Sequence, residues 1–136
     1  MLAPKPKKKI LVLDFDGVVH SYANGWKGAR NIPDPPCVGA IEFIYRALND
    51  GDFDVVIHSA RAKHFGGIRA MRAWLKEHAG NLWNEGPGYL GLENVRFARW
   101  KPSAFVMIDD RAMTFKGTWP EISEIKNFKP WWWSKS

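Results

Sequence analysis

The stretch Ile10-Leu11-Val12-Leu13-Asp14-Phe15-Asp16-Gly17-Val18-Val19-His20 decides the fold. Four apolar residues, all of them Ile, Leu or Val side chains that suit a strand covered on both faces, run straight into two carboxylates and a glycine. Such a run, ended by a turn signal, is the signature of a strand at the centre of a parallel sheet. Its acids then stand at the strand's C-terminal end, where open α/β sheets bind their ligands. Two carboxylates one residue apart repel each other, and a hard divalent cation relieves them. On an extended chain Asp14 and Asp16 point to opposite sides, so an ion held by the Asp14 side chain can also take the Asp16 carbonyl. That leaves the Asp16 carboxyl for proton transfer. The rival reading is a strand followed by an ordinary acidic Asp-Gly turn.

A chain of 136 residues with 46% hydrophobic content and eight tryptophans builds one domain and is no disordered segment. The formal charge of +6 belongs to the ends. Without Lys5, Lys7, Lys8, Lys9, Lys126, Lys129 and Lys135, 13 basic residues face 14 acidic ones between positions 10 and 125. A basic tail over 1–9 and a Trp/Lys-rich tail over 128–136 thus flank a nearly neutral body. The tails are either solvated ends or weak attractors of polyanions. The lone Cys37 excludes an internal disulfide and fits a reducing compartment. The apolar run stops at Asp14, too early for a signal peptide, and no segment reaches membrane-span length, so a cytoplasmic location and no membrane partner are expected.

Beyond His20, the Gly-, Asn- and Pro-rich residues up to Pro36 read as a loop or small hairpin, long enough to be functional. Val38 to Leu48 has helical spacing and stops at Asn49-Asp50-Gly51; Phe53 to His58 is a second strand. Strand, helix and strand make a βαβ unit with a right-handed crossover. Lys63 to His78 predicts a second helix, closed by Ala79-Gly80, and Asn81 to Glu93 is irregular. Short strands follow at Val95 to Ala98 and Ala104 to Ile108, with Thr114-Phe115 a candidate fifth and Glu121 to Asn127 a last helical turn or two. The expected architecture is α/β, a Rossmann-like doubly wound parallel sheet of about five strands.

Three strands end in polar groups: Asp14 and Asp16, Ser59, and Asp109 with Asp110. Parallel strands bring those ends to one edge. Carboxylates that share an edge with a serine and a lysine suit phosphoryl chemistry, with Mg²⁺ on Asp14 and Asp109. Ser59 can donate its hydroxyl to a phosphate oxygen, the helix start after it can add backbone N–H groups, and Lys101 is a mobile positive charge.

In this order, Asp14-Phe15-Asp16-Gly17-Val18, then Ser59, then Lys101-Pro102, then Asp109-Asp110, the chain resembles the haloacid dehalogenase superfamily of phosphotransferases. The resemblance implies Asp14 as nucleophile, forming an aspartyl phosphate, and Asp16 as general acid and base. It implies Mg²⁺ held by Asp14, the Asp16 carbonyl and Asp109, with Asp110 supporting the metal waters or Lys101. Ser59 and Lys101 would hold phosphoryl oxygens, and Gly17, Ala60 and Arg61 would line the substrate site. Arg61 and Arg111 either bind a second substrate phosphate or pair with Asp16 or Asp110. Members acting on small metabolites usually carry a cap domain, and neither gap between motifs has room for one. An open site suits a nucleotide or a nucleic-acid terminal phosphate. Rival readings are a sugar or other small-metabolite phosphatase closed by homo-oligomerisation, and a non-catalytic nucleic-acid-binding module that uses Lys5 to Lys9.

Among the remaining residues, Trp26 either stacks on a base at the site entrance or packs on the sheet edge. His20 is close enough to the motif to touch substrate, and His58 reads as a core histidine. The run Trp131-Trp132-Trp133 is expected to cover an apolar face or a neighbouring chain, with ligand stacking as the other reading.

Overall fold

The structure, a computed structural model, describes residues 7–133. Most of the basic N-terminal tail and residues 134–136 therefore lie outside the described residues. Strand β1 (Lys9–Leu13) is followed by helix α1 (Ala40–Asp50), strand β2 (Phe53–His58), helix α2 (Gly67–Ala79), short strands β3 (Arg96–Ala98) and β4 (Val106–Ile108), and a short helix α3 (Ile122–Lys126). The sheet is wholly parallel in the order β3-β2-β1-β4. The fold is thus α/β with a four-stranded parallel sheet, consistent with a Rossmann-like arrangement.

β1 is interior because its residues satisfy both neighbours and both faces. Leu11, Val12 and Leu13 are buried, and they pair with Val55, Val56 and Ile57 of β2 on one side and with Val106, Met107 and Ile108 of β4 on the other. Both crossovers from β1 towards β3 run the same way across the sheet, so right-handedness puts α1 and α2 on one face. The core agrees. Leu11, Leu13, Val55 and Ile57 pack with Ile41, Ile44 and Leu48 of α1 and with Met71, Trp74 and Leu75 of α2. Val12 and Val56, which point the other way along the pleat, are buried outside that cluster.

Two expectations change. Thr114-Phe115 forms no strand, so the described residues hold four strands and not five. The doubly wound pattern is also incomplete, because both long helices stand on one face and α3 has only five residues. The fourth strand is an edge: Val106 and Ile108 remain about half exposed, having a partner strand on one side only. No inserted domain interrupts the described residues, and no helix among them is long and apolar enough to cross a membrane.

Between β2 and α2 the chain makes a 3-10 turn over Ala60–Lys63, capped by Ser59, whose Oγ accepts from the Arg61 N–H at 3.2 Å. α2 opens on Gly67 for a steric reason: a Cβ there would overlap the Arg61 carbonyl. Gly67→Ala is expected to destabilise the fold by about 2 kcal/mol through this overlap. Urea unfolding measures it, and a variant as stable as the parent would show that the turn and helix are not held this close.

Candidate functional site

The register of the sheet builds the site. Leu13 lies beside Ile108, so Asp14 and Asp109, each the next residue along, leave neighbouring strands together; the Asp14 N–H extends the ladder to the Ile108 carbonyl at 3.0 Å. Carboxylate oxygens of Asp14, Asp109 and Asp110 all lie within 4.8 Å of one another. Burial, then the Asp110 carboxyl and the Asp109 charge, push the Asp14 carboxyl up to about 8 against the pull of the Phe15 N–H, which donates to Asp14 Oδ1 at 2.8 Å. The Arg111 N–H holds Asp109 Oδ1 at 2.7 Å. Asp110 Oδ1 is buried without a hydrogen-bond partner. Three hard oxygen donors, one of them raised because it cannot share its charge and another with an orphaned oxygen, fit a divalent cation such as Mg²⁺.

Asp16 turns elsewhere. Its backbone passes the carboxylate cluster, but its side chain accepts from Arg61 Nε at 2.9 and 3.1 Å and contacts His20 Nδ1 at 2.8 Å. The Asp34 N–H donates to His20 Nε2 at 3.1 Å, so the imidazole proton sits on Nδ1 and is donated to Asp16. Gly17 makes the bend possible: its φ is +84°, and a Cβ there would collide with the Asp110 carboxylate and the Trp132 indole.

Arg61 is fully buried, and its role is one of the two left open by the sequence: it pairs with Asp16. Its Nη1 donates to the carbonyls of Gly28, Ala29 and Asn31 at 2.9 to 3.2 Å, and its plane lies 4.8 Å from the Trp26 ring. One side chain thereby ties the long loop after β1 to the end of β2. Trp26, 46% exposed, spends one face on that guanidinium. His20 lies inside the protein with no exposed surface, packed on Phe15 and Trp74. Ser59 is buried at the end of β2 with Ala60 beside it at the start of the turn. Lys101 is exposed on the β3–β4 connection and forms no ion pair among the described residues. It is felt at His58, whose imidazole is pushed down by burial and then by Lys63 and Lys101.

Two features escaped the sequence reading. Asp34, buried in the loop, accepts from the Asn24 backbone and side chain and orients His20; an Asp before two prolines carries no signal for that. The tryptophan run, visible as a peculiarity, covers the motif itself: Trp131 Nε1–H donates to the Gly17 carbonyl at 2.6 Å, and Trp132 Nε1–H donates to Asp110 Oδ2. A cleft of about 310 Å³ lies between Trp131, Asp109, Asp110, Gly17, Val18, Cys37 and Ile108. Burial, and then the charge of Asp110, push the Cys37 thiol up, so it lines this cleft as a thiol and not as a nucleophile.

Comparison with known proteins finds no matching family model, curated protein or solved structure.

The raised Asp14 makes stability depend on pH. Its folded value of about 8 lies above the ordinary 3.8, so the folded chain keeps a proton that the unfolded chain loses between those values. The stability it contributes is full below about pH 4 and is lost as pH rises towards 8. Asp14→Asn stays neutral throughout, so at pH 8 in EDTA it should be more stable than the parent by on the order of 2 kcal/mol, read as a higher melting temperature, and the two should converge near pH 4. Parallel melting curves for parent and variant across this range would contradict the crowding of Asp14.

Proposed function

We propose that the chain is a Mg²⁺-dependent phosphomonoester hydrolase of the haloacid dehalogenase type, acting on a nucleotide or a nucleic-acid terminal phosphate. The observation that carries this reading is the meeting of Asp14, Asp109 and Asp110 within 4.8 Å at the C-terminal edge of a parallel sheet. The order of Asp14-Phe15-Asp16-Gly17, Ser59, Lys101 and Asp109-Asp110 along the chain supports it.

In this reading Asp14, Asp109 and Asp110, with the Asp16 carbonyl, hold Mg²⁺. Bound there, the ion supplies positive charge to the crowded carboxylates and to phosphoryl oxygens. Asp14, fixed in direction by the Phe15 N–H, attacks phosphorus through a carboxylate oxygen as the ester oxygen leaves. Asp16 gives the leaving oxygen its proton, then takes one from the water that hydrolyses the aspartyl phosphate and restores Asp14. Arg61 and His20 hold the Asp16 carboxyl away from the three clustered acids, so in this reading it turns from them to reach the leaving oxygen. Ser59 and the backbone of Ala60 bind a phosphoryl oxygen at the end of β2. Lys101, on a surface connection, swings in to neutralise another. The absence of an inserted domain among the described residues leaves the edge open to a bulky leaving group.

Phosphate release tests the proposal, measured on nucleoside monophosphates, 3′-phosphorylated oligonucleotides and sugar phosphates. The expected result is turnover of the nucleotide substrates with Mg²⁺, none with EDTA, and a loss of roughly a thousandfold or more in Asp14→Asn. Activity that survives that substitution would remove Asp14 as nucleophile. A preference for sugar phosphates would move the substrate to small metabolites, and oligonucleotide binding without turnover would point to a binding module.

A further inference from the structure

Trp131 is 62% exposed although it sits against the most constrained turn of the protein. Exposed indoles are ordinary where they are loose. This one is fixed at both of its neighbours' expense: its N–H is spent on the Gly17 carbonyl, and the next residue donates its own N–H to Asp110 Oδ2. Trp132 is further held edge-on against Tyr22, with ring centres 5.0 Å apart at 87°, and by Arg111, whose guanidinium lies 5.1 Å from its ring. The turn closes with the Trp133 N–H on the Pro130 carbonyl, and Pro130 is buried. These contacts fix the plane of Trp131 while leaving much of its ring uncovered. That ring lines the same cleft as Asp109 and Asp110, with Val18, Cys37 and Ile108 adding apolar surface to its lining.

A held, uncovered indole in a partly apolar cleft offers a surface for a flat, largely apolar group. In the phosphohydrolase reading, the cation that Asp109 and Asp110 would hold takes the phosphoryl group beside that surface. The chemistry that fits is one phosphoryl group carried on an aromatic base. We infer that Trp131 is the stacking platform for the base of a nucleoside monophosphate or a terminal nucleotide, with Trp132 as the residue that positions it. This rests on the phosphohydrolase reading for the place of the phosphoryl group and adds to it the part of the substrate that is recognised. Every base presents a π-face, so the contact selects bases over aliphatic leaving groups without choosing among bases.

Equilibrium binding separates this inference from catalysis. Adenosine 5′-monophosphate, adenosine 3′-monophosphate and β-glycerophosphate are titrated calorimetrically, with Mg²⁺ present, into Asp14→Asn and into the same chain carrying Trp131→Ala or Trp131→Phe. Trp131→Ala should weaken binding of an adenosine monophosphate by about tenfold or more and change β-glycerophosphate less than twofold, while Trp131→Phe, which keeps a ring, retains most of the affinity. Matched melting temperatures exclude a folding defect; if Trp131→Ala melts early, Trp131→Leu, which keeps apolar bulk without a ring, replaces it, and a ratio of adenosine monophosphate to β-glycerophosphate affinity equal to that of the starting chain overturns the inference. Equal weakening of all three ligands, tighter binding of all three, or no adenosine monophosphate binding to the starting chain would each overturn the inference. Phosphate release that proceeds while Trp131→Ala binds normally defeats the stacking role alone. Base-dependent binding without phosphate release defeats the hydrolase reading alone.

Discussion

Everything distinctive in this protein follows from like charges brought together by strand pairing. Leu13 and Ile108 are neighbours in a parallel ladder, so the residues after them leave the sheet side by side, and those residues are acids. The sheet cannot separate Asp14 from Asp109 without giving up backbone hydrogen bonds between β1 and β4. Burial, the Asp110 carboxyl and the Asp109 charge raise Asp14 to about 8, so the molecule carries the repulsion as a retained proton. A site held in this condition by the backbone is organised before any ligand arrives.

Around that cluster, one buried cation does the organising. Arg61 reaches from the end of β2 to Asp16 and to three carbonyls of the loop that follows β1. A buried guanidinium needs a carboxylate and several acceptors to offset its lost hydration; Asp16 and three loop carbonyls serve Nε and Nη1, while Nη2 is buried without a partner among the described residues. The same interaction takes the Asp16 side chain away from the three clustered acids and gives it a separate direction, with His20 and Asp34 behind it. Two acids of one tripeptide thus sit in different surroundings.

The central strand and its two carboxylates were legible because a continuous Ile-Leu-Val-Leu run ending in Asp has few other uses, and β2 and both long helices stood out by the same periodicity. Convergence of Asp14 with Asp109 was legible too, since parallel strands share an edge. Thr114-Phe115 misled, because two residues of strand propensity do not make a strand without a neighbour to pair with. The exposure of β4 was hidden, because an apolar triplet reads alike at the centre and at the edge of a sheet. Arg61 could be read only as one of two roles, since its partner lies 45 residues away. The seating of Trp131 on Gly17 spans 114 residues and leaves no local pattern at all.

A calorimetric Mg²⁺ titration near pH 7, repeated in buffers of different ionisation enthalpy, tests the shared-cation account most directly. One ion should bind per chain with release of a proton, because Asp14 gives up the one it retains, and Asp109→Asn should weaken that binding by about tenfold or more. Absence of binding at millimolar Mg²⁺, or binding that Asp109→Asn leaves unchanged, would contradict the claim that these acids serve a single ion.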